Sequence, residues 1–360
     1  MTFFDFLFQI IAGVILWNWL WKSVYRVESN EDETHWIKTS DGWRIALHHY
    51  QPRAKQHSVP VILCHGMGAN RLTFDMNAKQ SLAVYLRDQG FDVWSLELRG
   101  HGLSDRPGFM RHQQFGWGVD DYLEKDMPAA ITAVCEKTHS TQVHWVGHSM
   151  GAILGWSRLA LNSTPDLLNP NIKSAVLIAG AIDYSETSSD YHFLKRARPI
   201  SQFLPALPVS WLTCLISPFA GRLENRIEAF KYELSNLDGL LARKLQALGF
   251  HPISMPVMNQ LATAMESGGL LIQKGSFKVK EHLGQITTPV LAIAADRDRQ
   301  CAPYAIESSL KLLSGTENEF RCFGTGSGQE THYGHFDVLF GKRVESEVFP
   351  VIANWLKQKS

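Results

Sequence analysis

Five cysteines in 360 residues, Cys64, Cys135, Cys214, Cys301 and Cys322, are too few, too scattered and of the wrong parity for a disulfide framework. No two are spaced C-x-x-C, so they offer no zinc-ligand pair and are expected as reduced core residues. H-E-x-x-H is also missing, so no metal site is expected. Net charge is absent as well: 35 basic residues balance 35 acidic ones, which argues against an electrostatically driven nucleic-acid partner. There is no internal repeat and no low-complexity tract. Charged residues make up only 19% of the chain against 45% hydrophobic, the balance of a globular protein with extra apolar surface. The length allows a full core plus an insertion.

What is present begins at the N-terminus. Residues 3–21 read FFDFLFQIIAGVILWNWLW, about the minimum length for crossing a bilayer. Asp5, Gln9 and Asn18 lower its hydrophobicity, and Trp17, Trp19 and Trp21 suit an interfacial aromatic belt. No basic residue precedes the apolar run and no small-x-small site follows it, so a membrane anchor over residues 1–26 is expected rather than a signal peptide. Lys22 and Arg26 lie on its C-terminal side, which by the positive-inside rule places the rest of the chain in the cytoplasm.

From residue 35 apolar strands alternate with helical patterns. Residues 43–50 alternate like an antiparallel edge strand; 59–64, 91–96, 174–179, 289–294 and 319–323 read as further strands. Helices are expected over 79–88, over 127–137 with Pro128 in the first turn, over 152–160, and over 344–357 at the end. This order implies an α/β fold with a mostly parallel, doubly wound sheet. About a hundred residues, 183–285, separate two consecutive strands, far more than a loop needs. This apolar, proline-rich segment, with a helical stretch near 223–248, is expected to form a cap over the carboxyl edge of the sheet. The core is then split into residues 35–182 and 286–360.

Chemistry concentrates at strand ends. Gly147-His148-Ser149-Met150-Gly151 follows the apolar run 142–146 and opens a helix, the pattern of a nucleophile elbow. Gly147 and Gly151 are small where strand and helix crowd, and Ser149 is pushed out toward substrate. A serine hydroxyl needs a base, and the base an orienting acid. In chain order Ser, Asp, His, the candidates are Asp298 in Asp296-Arg297-Asp298 and His335 in His332-Tyr333-Gly334-His335. Asp296 and His332 compete for the same roles. Oxyanion stabilisation needs preorganised N–H donors. The backbone N–H groups of Met150 and of Met67, in His65-Gly66-Met67-Gly68, are placed for it, with Gly66 allowing close approach. His65 is expected to brace that loop, and Asp126 to help start the helix after it.

Together these pieces resemble the α/β-hydrolase family over residues 35–358. The matching stretches are HGMGANRLTFD (65–75), LELRGHGLSD (96–105), GHSMG (147–151), DRDRQCAP (296–303) and YGHFDVLFGKR (333–343). Within the family, the large cap, the HGMG loop and the histidine segment look most like lipases and esterases, including acid-lipase-like and lysophospholipase-like members. The resemblance implies a triad of Ser149, His335 and Asp298, the last with Pro303 five positions on as in the family's D-x-x-x-x-P pattern. It also implies hydrolysis of a hydrophobic ester with no cofactor. A thioesterase, amidase or acyltransferase would use the same triad. A non-enzymatic alternative is a membrane-tethered ligand-binding protein on the same fold. Oligomeric state is not written in the sequence.

Overall fold

The computed structural model describes residues 2–108, 113–162, 171–186, 190, 204–222, 225–315 and 317–360. Its centre is an eight-stranded sheet built from β1 (Glu33–Lys38), β2 (Arg44–Tyr50), β3 (Val61–Cys64), β4 (Val93–Glu97), β5 (Gln142–His148), β6 (Asn171–Ile178), β7 (Val290–Ala295) and β8 (Glu319–Phe323). The strand order is β1-β2-β4-β3-β5-β6-β7-β8. β2 runs antiparallel to both β1 and β4, and every pairing from β4 to β8 is parallel. Every residue of β3, β4 and β7 is buried, as continuous apolar runs require when helices cover both faces.

Side-chain alternation sorts the helices. Val61 and Leu63 face α2 (Leu82–Asp88) and α9 (Phe349–Lys359); Ile62 and Cys64 face α3 (Met127–Thr138), α4 (Met150–Asn162) and α8 (Pro303–Leu310). The sheet is therefore wound on both sides, as expected from the sequence. Three local expectations are corrected. The segment beginning at Trp43 is not the edge strand, because β1 pairs outside β2 from Glu33↔His49 to Lys38↔Arg44. The closing helix is two pieces, Val344–Glu347 and Phe349–Lys359, because Pro350 in the first turn restarts the ladder. Asp126 makes no capping bond to α3; its carboxylate takes the Arg99 guanidinium at 2.8 and 2.6 Å and the Arg99 N–H at 2.9 Å. Asp41, more exposed, holds the other side of that guanidinium at 2.6 and 3.0 Å, and the buried Arg99–Asp126 pair ties the end of β4 to α3.

Of the segment expected as a cap, residues 187–189, 191–203 and 223–224 lie outside the described residues. The remainder carries α5 (Val209–Ile216), α6 (Gly239–Leu248) and α7 (Met255–Leu261). Short two-stranded ladders join Ala206–Leu207 to Ile253–Ser254 and Leu271–Ile272 to Phe277–Lys278. The helix expected near 223–248 is broken: a turn at Arg226–Ala229 capped by Asn225 is separated from α6, which Asp238 caps by accepting from Leu240 N–H at 2.7 Å.

At the N-terminus, α1 (Phe3–Val24) is capped by a reciprocal Thr2–Asp5 box, so Asp5 serves the helix end. Asn18 also keeps its polarity within the helix, donating to Val14 O at 3.0 Å. The most apolar window within Phe4–Val24 has a mean hydropathy of 1.4, and only 6% of it is buried. That is length and composition enough to cross a membrane. The far end of α1 docks on α5, where the Trp17 indole donates to Leu215 O at 3.1 Å and Trp21 packs with Tyr25 and Cys214.

Candidate active site

The strand order reverses between β3 and β5, and in open α/β sheets ligands bind in the crevice beyond the carboxyl ends at such a point. Gly66 and Met67 follow β3; Ser149 follows β5. Ser149 adopts φ +53°, a left-handed conformation that a serine enters only at a cost. Its N–H is held by Ile178 O at 2.8 Å. A Cβ at Gly147 would lie 2.1 Å from Gly151 O, and one at Gly151 would lie 2.1 Å from Cys64 O, so both positions exclude any side chain. Two buried tryptophans fasten the turn, Trp145 donating to Gly151 O and Trp156 to Gly180 O, each at 3.0 Å. At Gly66 a Cβ would meet the Ser149 Cβ at 2.9 Å, which is how closely the loop after β3 approaches the elbow.

Asp298 and His335, far apart in sequence, meet here. His335 Nδ1 lies 2.7 Å from Asp298 Oδ2, with both side chains buried. The other carboxylate oxygen accepts from the N–H groups of Gln300 (2.7 Å) and Cys301 (2.9 Å), which fixes the plane of the acid. Since Asp298 accepts at Nδ1, the proton sits there and Nε2 is left as the basic nitrogen. That Nε2 is buried and makes no hydrogen bond. Behind it, His148 Nε2 donates to His335 O at 2.9 Å and so holds the histidine's backbone. Burial, reinforced by His335, pushes the His148 imidazole well below its usual range and keeps it neutral.

The competing residues pair with each other: His332 Nδ1 lies 2.5 Å from Asp296 Oδ2, while Asp296 Oδ1 accepts from Tyr333 N–H at 2.9 Å. His65 accepts Leu98 N–H at 3.2 Å and donates to Gly66 O at 2.9 Å, the bracing role expected of it. Met150 opens α4, where first-turn N–H groups have no partner within the helix.

Two spaces open on Ser149 and His335. The larger, about 430 Å³, runs under α5 and is walled by Leu212, Ile216, Phe230, Phe250 and Met258 among others, with Lys231 the only lysine or arginine lining it among the described residues. The smaller, about 30 Å³, is bounded by Tyr184, Leu261, Met265 and Cys301. Met67, Ser149, Gln300 and His335 line both. Gln300, Lys231 and His148 went unread in the sequence. Gln300 sits inside the motif that carries Asp298, and Lys231 is a lone cation between Phe230 and Tyr232, a weak signal. Away from this site, Glu33, His35 and His49 lie close enough to share a metal ion. His35 already meets Glu33 at 3.1 Å and His49 meets Asp92 at 2.7 Å.

The family model for the alpha/beta hydrolase fold matches residues 59–326, and the chain belongs to that family. Among curated proteins, a human lysosomal acid lipase/cholesteryl ester hydrolase is 33% identical over 144 residues, 38% of this chain and 36% of the lipase. The first relatives are thus matched over little more than a third of their length. A Drosophila melanogaster protein named Lipase 1 is 28% identical across 89% of this chain and 75% of its own. Among solved structures, a Paleococcus ferrophilus monoacylglycerol lipase aligns with a TM-score of 0.59 at 17% identity over 88% of this chain and 99% of its own, a likeness of fold.

Proposed function

We propose that the protein is a membrane-anchored serine hydrolase that cleaves a carboxylic ester with a hydrophobic acyl chain. The observation carrying this is the conjunction of a strained elbow serine with the buried Asp298–His335 pair at the floor of an apolar cavity. Ser149 Oγ attacks the ester carbonyl while His335 Nε2 takes its proton. Asp298 holds the imidazole tautomer and stabilises the imidazolium. The Met67 and Met150 N–H groups receive the oxyanion. His335 then protonates the departing alcohol, and water repeats the sequence on the acyl-enzyme. Every step moves a proton between groups already present, so the cycle calls for no cofactor.

The names of the relatives, lipases throughout those compared, support the ester reading. Residues 183–285 act as a cap in this reading, because the wall of the larger cavity comes largely from α5 and its neighbours. The exposed apolar length of α1 and the outward Trp211, Leu212, Leu215 and Phe219 of the adjoining cap favour anchorage in a bilayer. Lys22 and Arg26 favour a cytoplasmic active site.

The test is hydrolysis of a chromogenic ester series, acetyl to palmitoyl, by detergent-solubilised protein beside Ser149→Ala. Turnover that rises with chain length and vanishes in the variant is expected. Equal rates for the two proteins, with no fluorophosphonate labelling of Ser149, would replace this reading with a ligand-binding one.

A further inference from the structure

Lys231 is 8% exposed, yet its side chain lines the 430 Å³ cavity together with Ser149 and His335. A buried ammonium is costly unless an anion meets it. Among the described residues none bonds it: Lys231 enters no ion pair and its Nζ no hydrogen bond, and only the Glu228 charge acts on it through space. The carboxylate on its own turn, Glu228, makes its hydrogen bonds to Gly221 N–H, at 3.1 and 2.9 Å, and none to the ammonium. The backbone is nevertheless fixed. Lys231 N–H donates to Glu228 O at 2.7 Å, and Lys231 O accepts from Phe336 N–H at 2.9 Å, beside His335. A cation without a bonded counter-charge, on a fixed backbone in a mainly apolar chamber, is a receptor for negative charge.

We propose that Lys231 determines substrate specificity by seating an anionic group, a phosphate or a carboxylate, carried by the acyl ester that Ser149 attacks. This rests on the serine-hydrolase reading. The apolar walls take the chain, and the ammonium takes the charged end as a charge-assisted hydrogen bond. Burial pulls the ammonium down to about 8 against the opposing pull of Glu228, so the charge is present at neutral pH.

The experiment compares matched esters in one neutral detergent. One pair is 1-oleoylglycerol 3-phosphate against 1-oleoylglycerol; the other is monomethyl hexadecanedioate against methyl palmitate. The proteins are wild type, Lys231→Met and Lys231→Arg, each titrated with fluorophosphonate to count competent sites. In at least one pair the wild type prefers the anionic member, and that pair identifies the anion. Lys231→Met lowers the anionic-to-neutral kcat/KM ratio by on the order of tenfold, and Lys231→Arg largely restores it.

Raising pH through about 8 erodes the preference in wild type but not in Lys231→Arg. Among the described residues, the titratable groups around Lys231 are Glu228, whose charge acts on it, Tyr232 and Glu233 next along its segment, and, on the loop whose Phe336 N–H bonds its carbonyl, His335 with Asp298 behind it and Asp337. Those that govern the chemical step act on both members of a pair, so the ratio isolates Lys231. Neutral esters preferred in both pairs, or a ratio that Lys231→Met leaves unmoved, would overturn the proposal while leaving the hydrolase intact. No serine-dependent turnover of any ester would remove both.

Discussion

Two aspartate–histidine pairs stand a few residues apart in this molecule. Asp298–His335 and Asp296–His332 have matching chemistry, similar Nδ1–carboxylate contacts and neighbouring loops. They differ in everything around them. The His335 imidazole is 2% exposed and the residue lines a cavity shared with Ser149; the His332 side chain is 34% exposed and, besides Asp296, its ring meets the Thr325 hydroxyl. The Asp298 carboxylate is locked by two backbone N–H groups and the Asp296 carboxylate by one. In the proposed function it is the surroundings that set the first pair apart for chemistry: exclusion of water, a fixed carboxylate plane and a serine within the same space.

The largest effect that would break the contrast comes from the histidines. If His335 is the proposed general base, His335→Gln should lower kcat by roughly ten-thousand-fold. His332→Gln should leave turnover near wild type. Steady-state rates on one ester settle both, and a comparable loss in the two variants would mean that the second pair takes part in the chemistry. The acids come next. Asp298→Asn keeps the acceptor for Gln300 and Cys301 but presents an amide N–H to His335 Nδ1, which forces the proton onto Nε2. The wrong tautomer should cost about a hundred- to ten-thousand-fold in kcat with little change in KM. Asp296→Asn, measured the same way, should be nearly silent.

Sequence made one member of this contrast legible and hid the other. GHSMG, DRDRQCAP and YGHFDVLFGKR mark Ser149, Asp298 and His335 because an elbow and two strand-end loops have spacing rules that a single chain can display. The sheet was legible for a related reason, since strands buried on both faces must read as apolar runs. Nothing local said that Asp296 would find His332 thirty-odd residues on, or that His148 would hold the carbonyl of His335, because those are contacts of the tertiary fold. β1 escaped notice because Glu33, Thr34 and His35 do not read as an apolar strand; pairing with β2 makes it one. The Asp126–Arg99 pair likewise depends on β4 reaching the start of α3, and a helix-start reading was the natural local guess.

A smaller effect sharpens the comparison at the backbone. Gly66 lies against the elbow, where a Cβ would come to 2.9 Å from Ser149 Cβ and 3.4 Å from its Oγ. Gly66→Ala should therefore displace the nucleophile or the Met67 N–H by a few tenths of an ångström and cost roughly ten- to a hundredfold in kcat. Gly326, in the Thr325–Ser327 turn beside His332, has open space around its Cβ position. Gly326→Ala should leave kcat unchanged, so equal penalties at the two glycines would show that the loop after β3 is not part of the machinery.

The smallest effect is the strength of the second pair itself. Asp296 and His332 are partly exposed at 23% and 34%, and water competes for both charges. A double-mutant cycle on thermal stability, with Asp296→Asn, His332→Gln and the combination, should return a coupling below about 1 kcal/mol. Raising salt should shrink it further, because an exposed pair is screened by mobile ions and a buried one is not. A coupling above about 2 kcal/mol that persists in salt would show that the pair is desolvated in solution. The two dyads would then differ only in the presence of Ser149, and the nucleophile alone, not burial, would carry the distinction between them.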